Sequence, residues 1–446
     1  MKRLSIGLLL LLTGILFFIP AWADAQVLTL DDCIGLALRN HQDVIRARGN
    51  LSTANGTLWQ TAGSFLPTLS FGASASQSDR AEDTLIGLVY NPITEEFFTD
   101  TTIDDGFSKS YSMGFSANWT VFNGFRNIHN YMGAKADKKI SEYSLEETEQ
   151  RMILKVKTTY FAYLRAIELK KIREEAVKRG EQQHRLASSK YEVGSASKSD
   201  VLKAQVQYGN DKLDLIDAEN QLKVAQATLS QLIGLDPKSN VEFSPTYTPR
   251  EYEGDEMEAV KFGMANHPGL LAYEQNVRAA KYDVRSTYGR FLPSINVSGS
   301  RNWSGNRWDD VSGFDGKNGV WSLTTSLSLP IFEGFSRKSD IARSKATLNN
   351  ARADYYYVRT GVELEIKTAY LDIQRSIEAL KVAQEVVASA EEDMAITQEK
   401  YNLGAASILD VLDAQVSLVN AQNSHINAIF DHNLAIATLE NAMGIR

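Results

Sequence analysis

The sequence predicts an α+β membrane protein in which long helices carry short amphipathic β-hairpins, with the plan laid down twice in one chain. Three observations predict it. First, short marks recur in order: Asn40-His41 as Asn266-His267, Phe65-Leu66-Pro67 as Phe291-Leu292-Pro293, Val121-Phe122-Asn123-Gly124-Phe125 as Ile331-Phe332-Glu333-Gly334-Phe335, and Ala204-Gln205 as Ala414-Gln415. The offset shortens between the second and third marks, so the first copy carries an insertion there. Second, all nine prolines lie at or before Pro330 and none falls between Pro92 and Pro237, which leaves two long runs free to be helix. Third, the apolar period switches from helical to two and back to helical within each copy. The copies span 26–235 and 255–446, joined by a proline-containing segment, 236–254.

In chain order, Met1–Ala25 reads as an export signal. Lys2 and Arg3 precede an apolar run from Ile6 to Ile19, then Pro20 and two small-residue cleavage sites, after Ala23 or after Ala25. The run is short for a transmembrane span. Each copy then opens on a helical stretch, Leu30–Ser64 and Glu256–Arg290, with Thr29-Leu30-Asp31-Asp32 as a capping box. The Phe-Leu-Pro mark ends that stretch, because the residue before proline is pushed to extended geometry.

Hairpins follow at about 68–122 and 294–330, each of two strands. In the first, Tyr111, Met113, Phe115, Ala117, Trp119 and Val121 alternate with Ser112, Gly114, Ser116, Asn118 and Thr120. In the second, Trp321, Leu323, Thr325 and Leu327 alternate with Ser322, Thr324, Ser326 and Ser328. The pattern suits a hairpin on a soluble core or the wall of a membrane barrel. The Ser/Thr/Gly/Asn face suits water, Trp119, Trp303, Trp321 and Tyr111 suit an interfacial belt, and the acid-rich loop Gln77–Lys109 suits the outer side of a barrel. Four strands cannot close. Open edges in lipid leave backbone groups unpaired, so a wall of this kind demands oligomerisation. Two copies give a filled eight-strand bore, and three give twelve strands and a channel. The monomer alone is excluded, and the trimer is the choice made here.

The helical period then persists over about 126–190 and 336–400, roughly 100 Å each at ~1.5 Å per residue. Such lengths require a packing seam. One is legible as Ile366, Tyr370, Ile373, Ile377, Leu380, Ala383, Val387, Ala390 and Met394, with Val156, Tyr160, Tyr163 and Ile167 repeating its start. Returning helices occupy about 197–233 and 407–443. Between each pair lies a turn: Lys190-Tyr191-Glu192-Val193-Gly194-Ser195-Ala196-Ser197 and Lys400-Tyr401-Asn402-Leu403-Gly404-Ala405-Ala406-Ser407. Gly194 and Gly404 are placed to stop a helix in the left-handed conformation, and Ser197 and Ser407 stand at capping-box spacing from Asp200 and Asp410. Each hairpin leaves the membrane on the side it entered. All helices therefore share one side, which an export signal makes the periplasm, and the turns lie at its far end.

The totals exclude other classes. A net charge of −8 argues against a nucleic-acid partner. The single cysteine, Cys33, excludes an intrachain disulfide framework and is expected as a small buried residue. The six histidines lack metal-ligand spacing, and no phosphate loop or nucleophile elbow occurs. No enzyme activity, cofactor or metal is expected. His41 and His267 are repeat equivalents and suggest capping or packing.

At this point the chain resembles the TolC family of outer-membrane efflux and secretion channels. The resemblance covers nearly all of the mature chain. Tyr401-Asn402-Leu403-Gly404 followed by Leu409-Asp410-Val411-Leu412-Asp413-Ala414 carries it most specifically, with Val193-Gly194 and Ser199-Asp200-Val201 as a weaker twin. The resemblance implies a homotrimer: a twelve-stranded β-barrel, four strands per chain, continuous with a periplasmic α-helical coiled-coil barrel. It also implies contacts with outer-membrane lipid and a periplasmic adaptor protein that couples the duct to an inner-membrane pump. The adaptor would meet the turns at Val193, Gly194, Ser195, Leu403, Gly404 and Ala405. Asp410 and Asp413 fall on the acids that line the family's closed pore entrance, with Asp410 equally readable as a cap. Asp200 and Tyr401 fall on positions that hold that entrance shut. The basic partner expected in the second turn is replaced by Ala406, with Lys203 as a substitute toward Asp410 or Asp413. The function implied is a passive exit duct of a tripartite efflux or type I secretion system. The alternative is a secreted coiled-coil scaffold or adhesin without a conducting pore.

Overall fold

The computed structural model describes residues 27–79, 83–104, 107–238, 241–245, 254–313 and 319–445. The export signal lies outside them, as do parts of the joint and of the acid-rich loop. The helices are α1 (Leu30–Asn40), α2 (Gln42–Gly63), α3 (Arg126–Glu192), α4 (Lys198–Leu232), α5 (Glu256–Asn266), α6 (Pro268–Tyr288), α7 (Asp309–Ser312), α8 (Ser336–Asn402) and α9 (Ile408–Ala442). The strands are β1 (Thr68–Asp79), β2 (Asp83–Asn91), β3 (Glu96–Asp104), β4 (Phe107–Asn123), β5 (Ser294–Gly305) and β6 (Gly319–Ser328). Helices α3 and α8 run 67 residues each, and α4 and α9 run 35 each. None of the described helices is apolar enough to cross a membrane.

The opening stretch of each copy is two helices rather than one. His41 and His267 adopt extended geometry at the breaks. In the second copy the cause is plain: Pro268 cannot donate to the preceding turn, and it forces His267 out of the helical region. His267 then caps α6, its Nδ1 accepting from the Leu270 amide at 3.3 Å. Burial holds its imidazole below the usual range.

The chain divides into two compact units. The first comprises Met1–His41, Lys155–Arg250 and Ala379–Leu434, and the second Gln42–Leu154, Glu251–Glu378 and Ala435–Arg446. In the first, Leu28 bridges Phe243 and the Tyr160 hydroxyl donates to Ser244 O at 2.6 Å, so the joint lies along α3. Cys33 is buried, and burial pushes its thiol up to about 12.

The second unit holds a four-stranded antiparallel sheet in the order β1-β4-β5-β6. Its register makes two unlike faces. One carries Leu69, Phe71, Phe115, Trp119, Val297, Trp321, Leu323 and Leu327, and the other Ser70, Ser74, Ser112, Ser116, Ser298, Ser300, Ser322 and Ser326. Serines meet across strands at 2.7 Å (Ser70 and Ser116), 2.8 Å (Ser74 and Ser112) and 2.9 Å (Ser300 and Ser322). Among the described residues, no strand lies beside the outer edges of β1 and β6. The loop Gln77–Lys109, read from the sequence as an acid-rich connection, contains a separate hairpin of β2 and β3 in register from Asp83↔Asp104 to Asn91↔Glu96. Its signal is the run Leu85-Ile86-Gly87-Leu88-Val89-Tyr90, which the neighbouring acids obscured.

Each sheet-to-helix junction takes two successive left-handed residues, Gly124 (φ 69) with Phe125 (φ 64) and Gly334 (φ 56) with Phe335 (φ 67). Phenylalanine resists that conformation. Edge-to-face ring contacts, Phe122 with Phe125 at 5.1 Å and Phe332 with Phe335 at 5.8 Å, offset the cost. Beyond the second junction, α8 buries Val362, Ile366, Ala369 and Ile373 against Leu439 and Met443 of the α9 end. The expected seam slips at one place: Ile377 is 49% exposed, and Ser376 takes the inward position at 2%. The Ser376 hydroxyl can point inward because it donates to Ile373 O at 2.7 Å.

The paired turns as a candidate functional site

Both turns lie in the first unit and are built alike. Gly194 (φ 75) and Gly404 (φ 79) sit in the left-handed region. Ser195 N donates to Lys190 O and Ala405 N to Lys400 O, each at 2.8 Å, while the glycine amides reach Tyr191 O at 3.0 Å and Tyr401 O at 3.2 Å. This pair of bonds is the Schellman end of a helix, and it satisfies carbonyls that would otherwise lack partners. Val193 and Leu403 project into solvent at the two apices.

The returning helices start on matching caps. Asp200 Oδ2 accepts from Ser197 N at 3.0 Å and Ser197 Oγ at 2.8 Å. Asp410 Oδ2 accepts from Ser407 N at 2.8 Å and Ser407 Oγ at 2.9 Å. These donors favour the charged form and hold both carboxyls below the usual range. Each cap uses only Oδ2. Asp410 can therefore cap α9 and still present Oδ1 outward. Asp413 follows three residues later on the same exposed face and takes no part in the cap.

The two turns meet through Lys190. Its ammonium donates to Tyr401 O and, at 3.3 Å, to Asn402 O, and lies 4.3 Å from the Tyr401 ring centroid. A cation on the last carbonyls of α8 is favoured by the helix dipole and by the ring face. Tyr401 is buried among Val201, Ala204, Ile408, Val411 and Leu412. Its hydroxyl is buried without a hydrogen-bond partner. Burial first, and the Asp200 charge second, push its phenol up. Asp200 and Tyr401 are thus neighbours without a hydrogen bond between them. Lys203 acts electrostatically on Asp200 and makes no ion pair with Asp410 or Asp413 within the chain. Ala406 packs its methyl on the apolar cluster.

A polar contact beneath the turns was not foreseen. Asp211, buried on α4, accepts from Gln207 Nε2 at 2.8 Å and from the fully buried Gln415 Nε2 at 3.0 Å. Gly180 makes room for it, since a Cβ there would come 2.5 Å from Asp211 Oδ2. Burial pushes the Asp211 carboxyl up, against the two amide donors. The available signal was an acid on the inward stripe of Val201, Ala204, Asp211 and Ala218. Lys190 left no distinguishing signal, because Lys400 is its twin. Among the described residues, no group of histidines, cysteines or acids could hold a metal ion.

A two-faced sheet with free edges, long paired helices and capped turns define a membrane channel component with a helical extension. The chain belongs to the outer membrane efflux protein family, whose model matches residues 33–235 and 264–445. It is an efflux duct of the outer membrane. It is 26% identical over 334 residues to the outer membrane efflux protein BepC of Brucella suis, covering 75% of this chain and 72% of that protein. It is 25% identical over 437 residues to the pyoverdine export outer membrane protein OpmQ of Pseudomonas aeruginosa, covering 95% and 85%. In fold it matches the outer membrane protein VceC of Vibrio cholerae with a TM-score of 0.79 at 19% identity, over 93% of this chain and 96% of that one.

Proposed function

We propose that three copies close a twelve-stranded barrel and that their helices continue it as a periplasmic tunnel. The chain is then the passive exit duct of a tripartite efflux or type I secretion system, fed by an inner-membrane pump through an adaptor at the turns. The observation that carries this reading is the sheet: one apolar face, one serine face, and two edges left unpaired among the described residues. Such a sheet suits lipid on one side and water on the other, and in a membrane it must pair its edges with further copies. The duplicated plan supports two equivalent helical pairs per copy. No part of this role requires catalysis or a cofactor.

The entrance is read at the second turn. Asp410 and Asp413 would form two rings of acids, with Asp200, Tyr401 and Lys203 in the closing contacts. The turn residues Val193–Ser195 and Leu403–Ala405 would meet the adaptor. Planar-bilayer recording tests this. Asp410→Ala with Asp413→Ala should raise conductance and weaken block by multivalent cations, and unchanged values in both would remove these acids from the entrance.

A further inference from the structure

Arg301 occupies a position that the duct reading leaves unexplained. It lies on β5 with Val297 and Gly299 on one side and Trp303 on the other, along the apolar face of the sheet. Its register partners are Phe115 on β4 and Trp321 on β6. The diagonal neighbours, including Met113 and Leu323, are uncharged as well. Arg301 is exposed, its guanidinium lies 5.0 Å from the Trp303 ring centroid, and no described residue forms an ion pair with it. A lone cation on a lipid-facing wall is costly unless it reaches an anion or the interface.

Among the described residues, no acid lies beside Arg301 on this face of the sheet. Asp310 of α7 sits against Gly305 at the end of β5, where its Oδ2 accepts from the Arg307 amide at 3.0 Å. In a closed barrel the strand beyond β6 is the next copy's β1, whose same face runs Leu69, Phe71, Ala73, Ala75 and Gln77 and reaches an acid only at Asp79, its outer end. A lipid-facing wall brings the bilayer's own anions to Arg301. Arg301 stands nearer the Gly305 end of β5 than the Ser294 end, and Ser294 adjoins the helices. It therefore belongs to the outer half of the wall and leans toward Trp303 at the outer rim. Long basic side chains keep an apolar stem in lipid and carry the charge to the headgroups.

We propose that Arg301 is a docking point for the phosphate of an outer-leaflet lipid headgroup, with Trp303 bracing the guanidinium and Phe115, Trp321 and Leu323 receiving the acyl chains. This rests on the reading of the sheet as a membrane wall. Guanidinium suits phosphate because its planar donors match two oxygens at once. The apolar floor makes the ligand a lipid rather than free phosphate.

The test uses the purified full-length assembly in phosphatidylcholine nanodiscs, supplied with bis-phosphorylated lipid A and examined by native mass spectrometry. Lipid A should remain bound to the unaltered protein, and Arg301→Gln should lower the bound fraction about tenfold, as loss of a charge-assisted bond predicts. Arg301→Lys should retain part of it. Lipid A stripped of its phosphates should not be retained. Equal retention by Arg301→Gln, equal retention of the stripped lipid, or displacement by inorganic phosphate would each overturn the proposal. Brominated phosphatidylcholine separates this from the wall reading. It should quench a fluorescence component that Trp321→Phe removes. Absent quenching sinks the wall, whereas quenching with unchanged lipid A retention sinks only the role of Arg301.

Discussion

Tyr191 and Tyr401 occupy the same place in two turns with the same glycine, the same Schellman bonds and the same serine–aspartate cap, yet Tyr191 is 45% exposed and Tyr401 5%. The difference continues along the returning helices. At equivalent positions α9 buries Leu412 where α4 turns Leu202 outward, and α4 also exposes Leu213 and Ile216, while Val201 and Ala204 stay as buried as Val411 and Ala414. Matched local chemistry fixes the turns, and the surroundings decide which one becomes core. The second turn is held by the first: Lys190 of the first pair grips the α8 end of the second, whereas Lys400 is exposed. The outward stripe of α4 is the face our trimer would cover with a neighbouring copy.

This comparison can be broken at several points. Tyr401→Ala should cost about 3 kcal/mol of stability, as truncation of a buried ring does, while Tyr191→Ala should stay within about 0.5 kcal/mol. Thermal unfolding followed by circular dichroism distinguishes them, and equal losses would mean that the burial difference disappears on assembly. Tyr401→Phe should be neutral or slightly stabilising, because the hydroxyl has no partner to lose. Lys190→Met should cost about 1–2 kcal/mol and raise bilayer conductance, while Lys400→Met should change neither. Ser197→Ala and Ser407→Ala should each cost about 1 kcal/mol, since the caps are the feature the turns share. A marked inequality between them would show that the caps, too, are unequal.

The smallest effect concerns pH. The caps lower the pKa of Asp200 and Asp410, so their contribution is present above the ordinary carboxylate range and is lost as pH falls through it. Asp211 behaves oppositely. Its raised pKa means that the folded state binds the proton more tightly than the unfolded chain, so ionisation penalises folding at neutral pH and the penalty lifts on acidification. Asp211→Asn should therefore stabilise the protein near pH 7, with the gain shrinking toward pH 4. A gain independent of pH would assign the effect to packing.

Much of the fold was legible because its causes are local. Alternation over Tyr111–Phe122 lies within β4, and the absence of proline leaves α3 and α8 unbroken. The serine caps follow from three-residue spacing, whereas the break at His267 was read through as one helix although Pro268 stands beside it. What escaped depends on contacts remote in sequence. Twin lysines at 190 and 400 cannot be told apart until one is seen on Tyr401. Ser376 displaces Ile377 from the seam only because its hydroxyl has a carbonyl in reach. The β2–β3 hairpin hid behind the acids that flank it. At the site, the chain alone marked Asp200 and Asp410 as caps, but the shared use of Oδ2, which leaves Oδ1 outward, required geometry.

The free edges of β1 and β6 bear on when the protein can be built. If neighbouring copies complete the sheet as proposed, it cannot enter lipid ahead of them without stranding backbone donors and acceptors. Insertion and subunit counting would then become one event. During transit the unassembled chain would be a short-lived hazard, two sticky strands in search of their own kind, and its biogenesis would have to keep those strands apart from foreign sheets until its siblings arrive.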